Sequence, residues 1–511
     1  MENEEYRIQS KEQIFFTLYS VFFILHSQDY LMRLFEFLHL GLTLLTAGGA
    51  ILSSRITTLR PWLRYIAIAA LLAIPLQLLI EGYRWQNVPA YLYTAIAVFL
   101  AWRQSKQRQP NTTNKWRSAL NVIGGAILSL ILIISAALPI LFPVPVMPKP
   151  SGKYAIGTAS FYLKDPSRDE IYTDDPNDKR QIMMQIWYPA QSTAGAQPAK
   201  WLDRLDIAGP IIAQRLNLPS FVLDHANLTQ SNSFLNAPII DDSPTLPVVV
   251  YSHGWTGFRT INMNQSEDLA SHGYIVVSID HSYGSMITVF PDGSVAPLKA
   301  SILPPDGSPD FTPKFTQLVG VYAADVQFVL DQLALLNQGD AKAQAVAPWL
   351  KGRLDLSHLG LMGHSTGGAA ITRVCVTDAR CKAGFGMDVA TTGLSSDITT
   401  KGFQQPFFAL WSEQWRGNNS DKLFAPMFTQ AKNPIYRAYI SGAKHYDFIM
   451  ISLLSPLAST LGLKGPINGE RMMRLNNDYL LAFFDQHLRG NTSSLLAAAS
   501  PLYPEVAFEK Q

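Results

Sequence analysis

The chain has 511 residues, too many for one compact domain of roughly 100–200 residues, and its formal net charge of +2 gives no basis for nucleic-acid binding. Hydrophobic residues make up 48% and charged residues only 16%, well below the roughly 25% of soluble domains, and the deficit falls in the first 148 residues. Two cysteines exclude a four-cysteine zinc site and a disulfide framework, and no H-E-x-x-H run offers a histidine-based one.

Charge-free stretches organise the N-terminal part. Gln13 to Gln28 is uncharged but short, with Asp29, Arg33 and Glu36 close behind; it is predicted to lie in the membrane interface, with a fifth span as the alternative. The acidic start (Glu2, Glu4, Glu5) argues against a cleaved signal peptide. Four longer runs match the roughly 20 apolar residues that cross a bilayer: 37–54, 61–80, 85–102 and 119–142. They predict an all-α transmembrane domain over residues 1–148, with the lipid bilayer as its partner. Arg103, Lys106, Arg108, Lys115 and Arg117 mark the loop 103–117 as cytoplasmic, and Arg55 and Arg60 mark the first loop likewise. The loop between the second and third spans holds only Glu81 and Arg84, so alternation puts everything after Phe142 outside the cytoplasm. Pro143, Pro145, Pro148 and Pro150 form a stiff exit.

From Lys149 to Gln511 the composition is that of a soluble domain. Short apolar runs predict strands at Ile182–Trp187, Pro247–Tyr251, Tyr274–Ile279, His358–Met362, Ala383–Met387, Phe407–Trp411 and Tyr436–Ile440. Helical runs such as Leu318–Leu336 and Gly368–Val376 lie between them, which predicts an α/β domain with a mostly parallel sheet flanked by helices. Cys375 and Cys381 are either a local bridge or two small core residues.

The sharpest signal is Gly363-His364-Ser365-Thr366-Gly367-Gly368. G-x-S-x-G alone is weak, but a strand-like run precedes it and small residues open a helix behind it. That is the strand–turn–helix of a nucleophile elbow, and it predicts an α/β-hydrolase fold with Ser365 as nucleophile. A serine hydroxyl needs a base to take its proton, and this fold places the acid and then the histidine after the serine. Only His445 and His487 follow. His487 falls in a helical run, while His445 follows a strand in a loop and is the predicted base. Asp388 ends a strand and is preferred as the acid over Asp378, at a helix terminus, and Asp397, in a polar loop. The tetrahedral intermediate needs two backbone donors. Thr366 N–H is one, and Trp255 N–H, in the loop Ser252-His253-Gly254-Trp255, is the other. His253 is assigned a structural role. No cofactor and no metal are expected.

Here the sequence resembles the platelet-activating-factor acetylhydrolase (lipoprotein-associated phospholipase A2) group of α/β-hydrolases, including its bacterial membrane-bound type. The resemblance covers roughly residues 150–490. It is carried by Trp187-Tyr188-Pro189, Ser252-His253-Gly254, Ala270-Ser271-His272-Gly273-Tyr274, Gly363–Gly368, Asp388, His445 and Phe483-Phe484-Asp485-Gln486-His487-Leu488. It implies a Ser365–Asp388–His445 triad, oxyanion donors at Trp255 and Thr366, and calcium-independent release of short or oxidised acyl groups from phospholipids. Animal members often carry an aromatic residue where Thr366 stands, which leaves a backbone donor unaffected but alters the acyl pocket. A general carboxylesterase acting on small non-lipid esters, or an inactive membrane-anchored sensor or scaffold, are the alternatives.

Overall fold

A computed structural model of the chain describes residues 33–52, 57–106, 115–241, 245–340 and 347–511. Gln13 to Gln28 and the middle of the basic loop 103–117 lie outside the described residues. Two compact units are present. One runs to Val146 and takes in Leu454–Leu457; the other is made of Met147–Leu453 and Ala458–Gln511.

The first unit holds four helices: α1 (Leu34–Leu52), α2 (Arg60–Glu81), α3 (Val88–Lys106) and α4 (Lys115–Leu141). α1 packs on α2 and α3, and α3 packs on α4. A cluster of polar groups inside this unit is held by mutual pairing, which offsets the cost of burial among apolar residues. The Glu36 carboxylate accepts from the Arg33 side chain at 2.7 Å, from Asn87 Nδ2 at 2.8 Å and from Arg84. Glu81 caps the start of α1 by accepting from the backbone N–H groups of Phe35 and Glu36, at 2.8 and 3.2 Å. Arg84 Nη1 reaches the carbonyl of Phe142, just past α4, at 3.3 Å. The start of α1, the end of α2, the start of α3 and the end of α4 therefore meet in one cluster, so successive helices run in opposite directions.

By length and composition, four described helices could cross a membrane: Leu34–Leu52, Pro61–Glu81, Val122–Leu141 and Phe311–Gln338. The last belongs to the second unit, where its Leu318, Val319, Val326, Val329, Leu330 and Leu333 are buried in the core. α3, over the stretch expected as a span at 85–102, is a helix but is not in that set. It is less apolar: Thr94, hydrogen-bonded to His39 at 2.8 Å and to Thr43 at 2.7 Å, is buried in it, and Arg103 and Lys106 end it.

The second unit is built on strands β1 (Ala155–Asp169), β2 (Lys179–Ala190), β3 (Pro198–Lys200), β4 (Gln230–Leu235), β5 (Leu246–Ser252), β6 (Ile275–Asp280), β7 (Ile287–Val289), β8 (Val295–Pro297), β9 (Leu354–His364), β10 (Ala383–Met387), β11 (Phe407–Ser412), β12 (Ile435–Ile440) and β13 (Val506–Lys510). β7 and β8 form a separate hairpin. The others make one sheet in the order β13-β12-β11-β10-β9-β5-β6-β2-β1-β4-β3. β6, β5, β9, β10, β11 and β12 are parallel. These strands read as continuous apolar runs (Val248-Val249-Val250, Ile275-Val276-Val277) because both faces are covered. On one face lie α5 (Phe311–Gln338) and α6 (Thr366–Thr377); on the other lies α7 (Gly469–Arg489), with Leu480, Phe483 and Phe484 against Met362, Phe385 and Phe408. This is the α/β-hydrolase fold.

Each expected strand is present: Ala383–Met387 with the expected bounds, Tyr274–Ile279 shifted by one residue to Ile275–Asp280, and the other five lengthened by one to six residues. β1, β3, β4, β7, β8 and β13 were not expected. The cysteines are bridged, Cys375 at the end of α6 to Cys381 just before β10. Asp397 lies in a short helix, Ser396–Thr399, rather than in a polar loop: Ser395 precedes it in extended conformation and turns the chain into a single helical turn.

Candidate active site

The chain leaves β5 for β6 on one side and returns to β9 on the other, so the strand order reverses between β5 and β9. In open α/β sheets the crevice at the carboxyl ends of such a pair is where ligands bind. The loop after β5 carries Trp255, and the turn after β9 carries Ser365.

Ser365 sits between His364, the last residue of β9, and Thr366, the first of α6, at φ 55° and ψ −119°. A side chain pays strain for a positive φ, and such strain persists only where the surroundings impose it. Here they do. A Cβ at Gly363 would lie 2.5 Å from the Gly367 carbonyl oxygen, and one at Gly367 would lie 2.1 Å from that of Ser252. Only glycines let β5, β9 and α6 approach so closely. Ser365 N–H donates to the Met387 carbonyl at 2.9 Å, which ties the elbow to the end of β10.

Asp388 follows β10, fully buried and at φ 41°. Its carboxylate accepts from Ser412 N–H and Ser412 Oγ–H, both at 2.7 Å, and from His445 Nδ1–H at 2.9 Å. With Nδ1 donating, the unprotonated nitrogen of a neutral ring is Nε2, the form a general base needs. His445 follows β12, and its backbone N–H donates to Gln414 Oε1 at 2.8 Å. Its ring lies between two others: Trp415, with centroids 4.4 Å apart and planes at 4°, and His364, 4.5 Å away. His364 Nε2–H donates to the His445 carbonyl at 3.1 Å. Burial, with His445 beside it, holds the His364 pKa well below the usual histidine range, so it is neutral. Ser365 Oγ makes no hydrogen bond to His445 among the described residues; such contacts tighten when substrate binds.

Thr366 N–H is in the first turn of α6, where helix N–H groups lack intrahelical acceptors. Trp255 N–H has no protein acceptor among the described residues. A Cβ on the neighbouring Gly254 would lie 3.0 Å from Ser365 Cβ. The structure thus brings Ser365, Asp388, His445, Thr366 and the Trp255 loop to one edge of the sheet. It keeps the other candidates away. Asp378 caps the end of α6 and pairs with Arg380 at 2.7 Å; His487, on α7, shares a 3.0 Å hydrogen bond with the Tyr436 hydroxyl. Sequence reasoning missed Ser412, Gln414, Trp415 and the packing role of His364. The run Trp411-Ser412-Glu413-Gln414-Trp415 at a strand end was the available signal.

A platelet-activating factor acetylhydrolase, isoform II, family model matches residues 142–494. The platelet-activating factor acetylhydrolase of Cavia porcellus is 25% identical over 358 residues, 67% of this chain and 78% of that protein. A probable 1-alkyl-2-acetylglycerophosphocholine esterase of Arthroderma benhamiae is 24% identical over 282 residues, 52% of this chain and 67% of that one. The chain spans 57% of two further mammalian acetylhydrolases it matches. Among solved structures, a ferulic acid esterase from Streptomyces cinnamoneus superposes with a TM-score of 0.58 at 24% identity, covering 71% of this chain and 99% of that one, which supports the fold. With the family model matching well over half its length, the chain belongs to the platelet-activating factor acetylhydrolase, isoform II, family.

Proposed function

We propose that this protein is a serine-dependent carboxylic ester hydrolase that releases short or oxidised acyl groups from phospholipids without calcium. The observation that carries this reading is the 2.9 Å contact from His445 Nδ1 to Asp388, with Ser365 on the neighbouring elbow. Ser365 Oγ attacks the ester carbonyl while His445 Nε2 takes its proton, and Asp388 stabilises the imidazolium. Trp255 and Thr366 N–H groups hold the oxyanion. Collapse of the tetrahedral intermediate breaks the C–O bond, and His445 returns the proton to the leaving lysophospholipid oxygen. Water then attacks the acyl-serine by the same route, releasing the acid and restoring Ser365.

Residues 1–148 form the membrane domain and 149–511 the catalytic domain in this reading. The basic residues Arg103, Lys106, Arg108, Lys115 and Arg117 favour a cytoplasmic 103–117 loop, and hence an extracytoplasmic catalytic domain. The Cys375–Cys381 disulfide suits an oxidising compartment. The bilayer then supplies the substrate at short range.

The test is a p-nitrophenyl ester series and an acetyl-phospholipid assay on the full chain in detergent, each with and without EDTA. Activity that falls with acyl length and persists in chelator supports the reading. Loss in EDTA, or a clear preference for long acyl chains, contradicts it.

A further inference from the structure

Beneath the Trp255 loop lies a second Ser–His–Asp arrangement that the mechanism above does not use. Asp325, on α5, accepts from His281 Nδ1–H at 2.9 Å, and His281 Nε2 faces Ser252 Oγ at 2.9 Å. All three residues are fully buried, and Arg180 grips both Asp325 oxygens at 3.0 and 2.6 Å. The His281 ring stacks on Tyr322 at 3.8 Å. Ser252 is the last residue of β5, and His253 is the next in the chain.

His253 Nδ1 lies 2.7 Å from the Gly254 carbonyl oxygen. A carbonyl only accepts, so Nδ1 carries the hydrogen and Nε2 the lone pair. Two donors converge on that lone pair: the His281 backbone N–H at 3.3 Å and the Ser285 hydroxyl at 2.8 Å. Burial, with His281 beside it, holds the His253 pKa well below the usual histidine value, so the ring stays neutral in this tautomer.

The Gly254 carbonyl belongs to the same trans peptide as Trp255 N–H, and the two point to opposite sides. Gly257 N–H also donates to that carbonyl, at 2.9 Å. We infer that His253 is a positioning residue: its Nδ1–H clamps the Gly254 carbonyl and so aims Trp255 N–H at the developing oxyanion, while the His281 backbone N–H and the Ser285 hydroxyl, both on Nε2, hold His253 in the donating tautomer. Hydrogen bonds to the carbonyl also polarise the peptide and strengthen its N–H as a donor. This inference rests on the reading of Trp255 as an oxyanion donor.

The test compares two amides in the full chain. In His253→Asn the amide nitrogen falls near Nδ1 and can still reach Gly254; in His253→Gln it falls near Nε2 and cannot. His253→Gln should lower kcat by about 10–10²-fold with little change in KM, less than the loss of a donor outright. The oxo-ester over thiono-ester rate ratio should fall with it, because a sulfur anion gains little from N–H donors; a merely structural defect would lower both rates alike. His253→Asn should restore kcat and ratio to within about fivefold of wild type. Equal losses in the two variants, or an unchanged ratio in His253→Gln, overturn the clamp. Should His253→Gln fail to fold, 15N spectra of the histidine-labelled wild-type chain decide. The resonance missing from His253→Asn must be an Nδ1–H form, and an Nε2–H form overturns the inference. A wild-type chain inactive on esters, or a fully active Ser365→Ala, would defeat the hydrolase reading itself. An active wild type with Ser365 essential and an indifferent His253 defeats the clamp alone.

Discussion

Ser365, His445 and Asp388 stand at the open edge of the sheet, whereas Ser252, His281 and Asp325 make the same kind of contacts inside it. In both sets the histidine Nδ1 lies 2.9 Å from a fully buried aspartate. The buried set even completes its serine–histidine contact, at 2.9 Å, which the edge set leaves open. Hydrogen-bond geometry therefore does not distinguish the proposed nucleophile from a structural serine. Backbone and access do. Ser365 is thrust out of the sheet at φ 55°, while Ser252 is the last paired residue of a strand. Among the described residues Asp388 accepts only from Ser412 and His445, while Asp325 carries Arg180 and Arg168 besides its histidine.

The comparison breaks most visibly at the serines. Ser365→Ala or His445→Ala should lower kcat by about 10⁴–10⁶-fold, and Ser252→Ala by less than about tenfold. Comparable losses in Ser365→Ala and Ser252→Ala would erase the distinction. The aspartates should separate by kind rather than size. Asp388→Asn should reduce kcat by about 10²–10⁴-fold with the thermal midpoint little changed. Asp325→Asn should instead destabilise the fold by about 3–5 kcal/mol, because it takes from the buried Arg180 guanidinium the carboxylate that grips it at two nitrogens and leaves only Glu170 to balance its charge among the described residues. Denaturation and steady-state kinetics on the same preparations separate the two.

Acid offers a finer probe. His253, His281 and His364 all have pKa values lowered mainly by burial. In the unfolded chain each titrates near ~6.5. As the pH falls the unfolded chain takes up protons first, so the stability these groups contribute is full above about pH 6.5 and is lost as the pH drops toward their folded values. Thermal midpoints should fall between about pH 7 and pH 5, and less steeply in His364→Gln. A midpoint flat over that range would mean that these histidines are not buried as neutral groups.

The elbow was legible in the sequence because it is local: six consecutive residues encode strand end, turn and helix start. Asp388 and His445 were legible through chain order, since parallel strands deliver their ends to one edge. What could not be read depends on contacts between residues far apart in the chain. Trp415, just after β11, meets His445, just after β12, and Ser252, His281 and Asp325 come from the end of β5, the residue after β6 and α5. β1 escaped notice because Asp165, Pro166 and Arg168 interrupt its alternation, although Ala155 to Lys164 pair regularly with β2. β13 is a five-residue edge strand whose Glu509 and Lys510 read as a polar tail. Apolarity alone is not decisive: Phe311–Gln338 is long and apolar enough to cross a membrane yet lies on the sheet, and its core, Leu318–Leu336, was legible as a domain helix because strand-like runs flank it.

On the proposed mechanism one serine of this chain is a nucleophile and its buried counterpart is not. Reaction of the 511-residue chain with a fluorophosphonate, followed by mass-spectrometric mapping of the adduct, separates the two. The predicted result is a single adduct on Ser365, abolished by His445→Ala and unaffected by EDTA; an adduct on Ser252, or a folded chain that takes up no probe at Ser365, would contradict it.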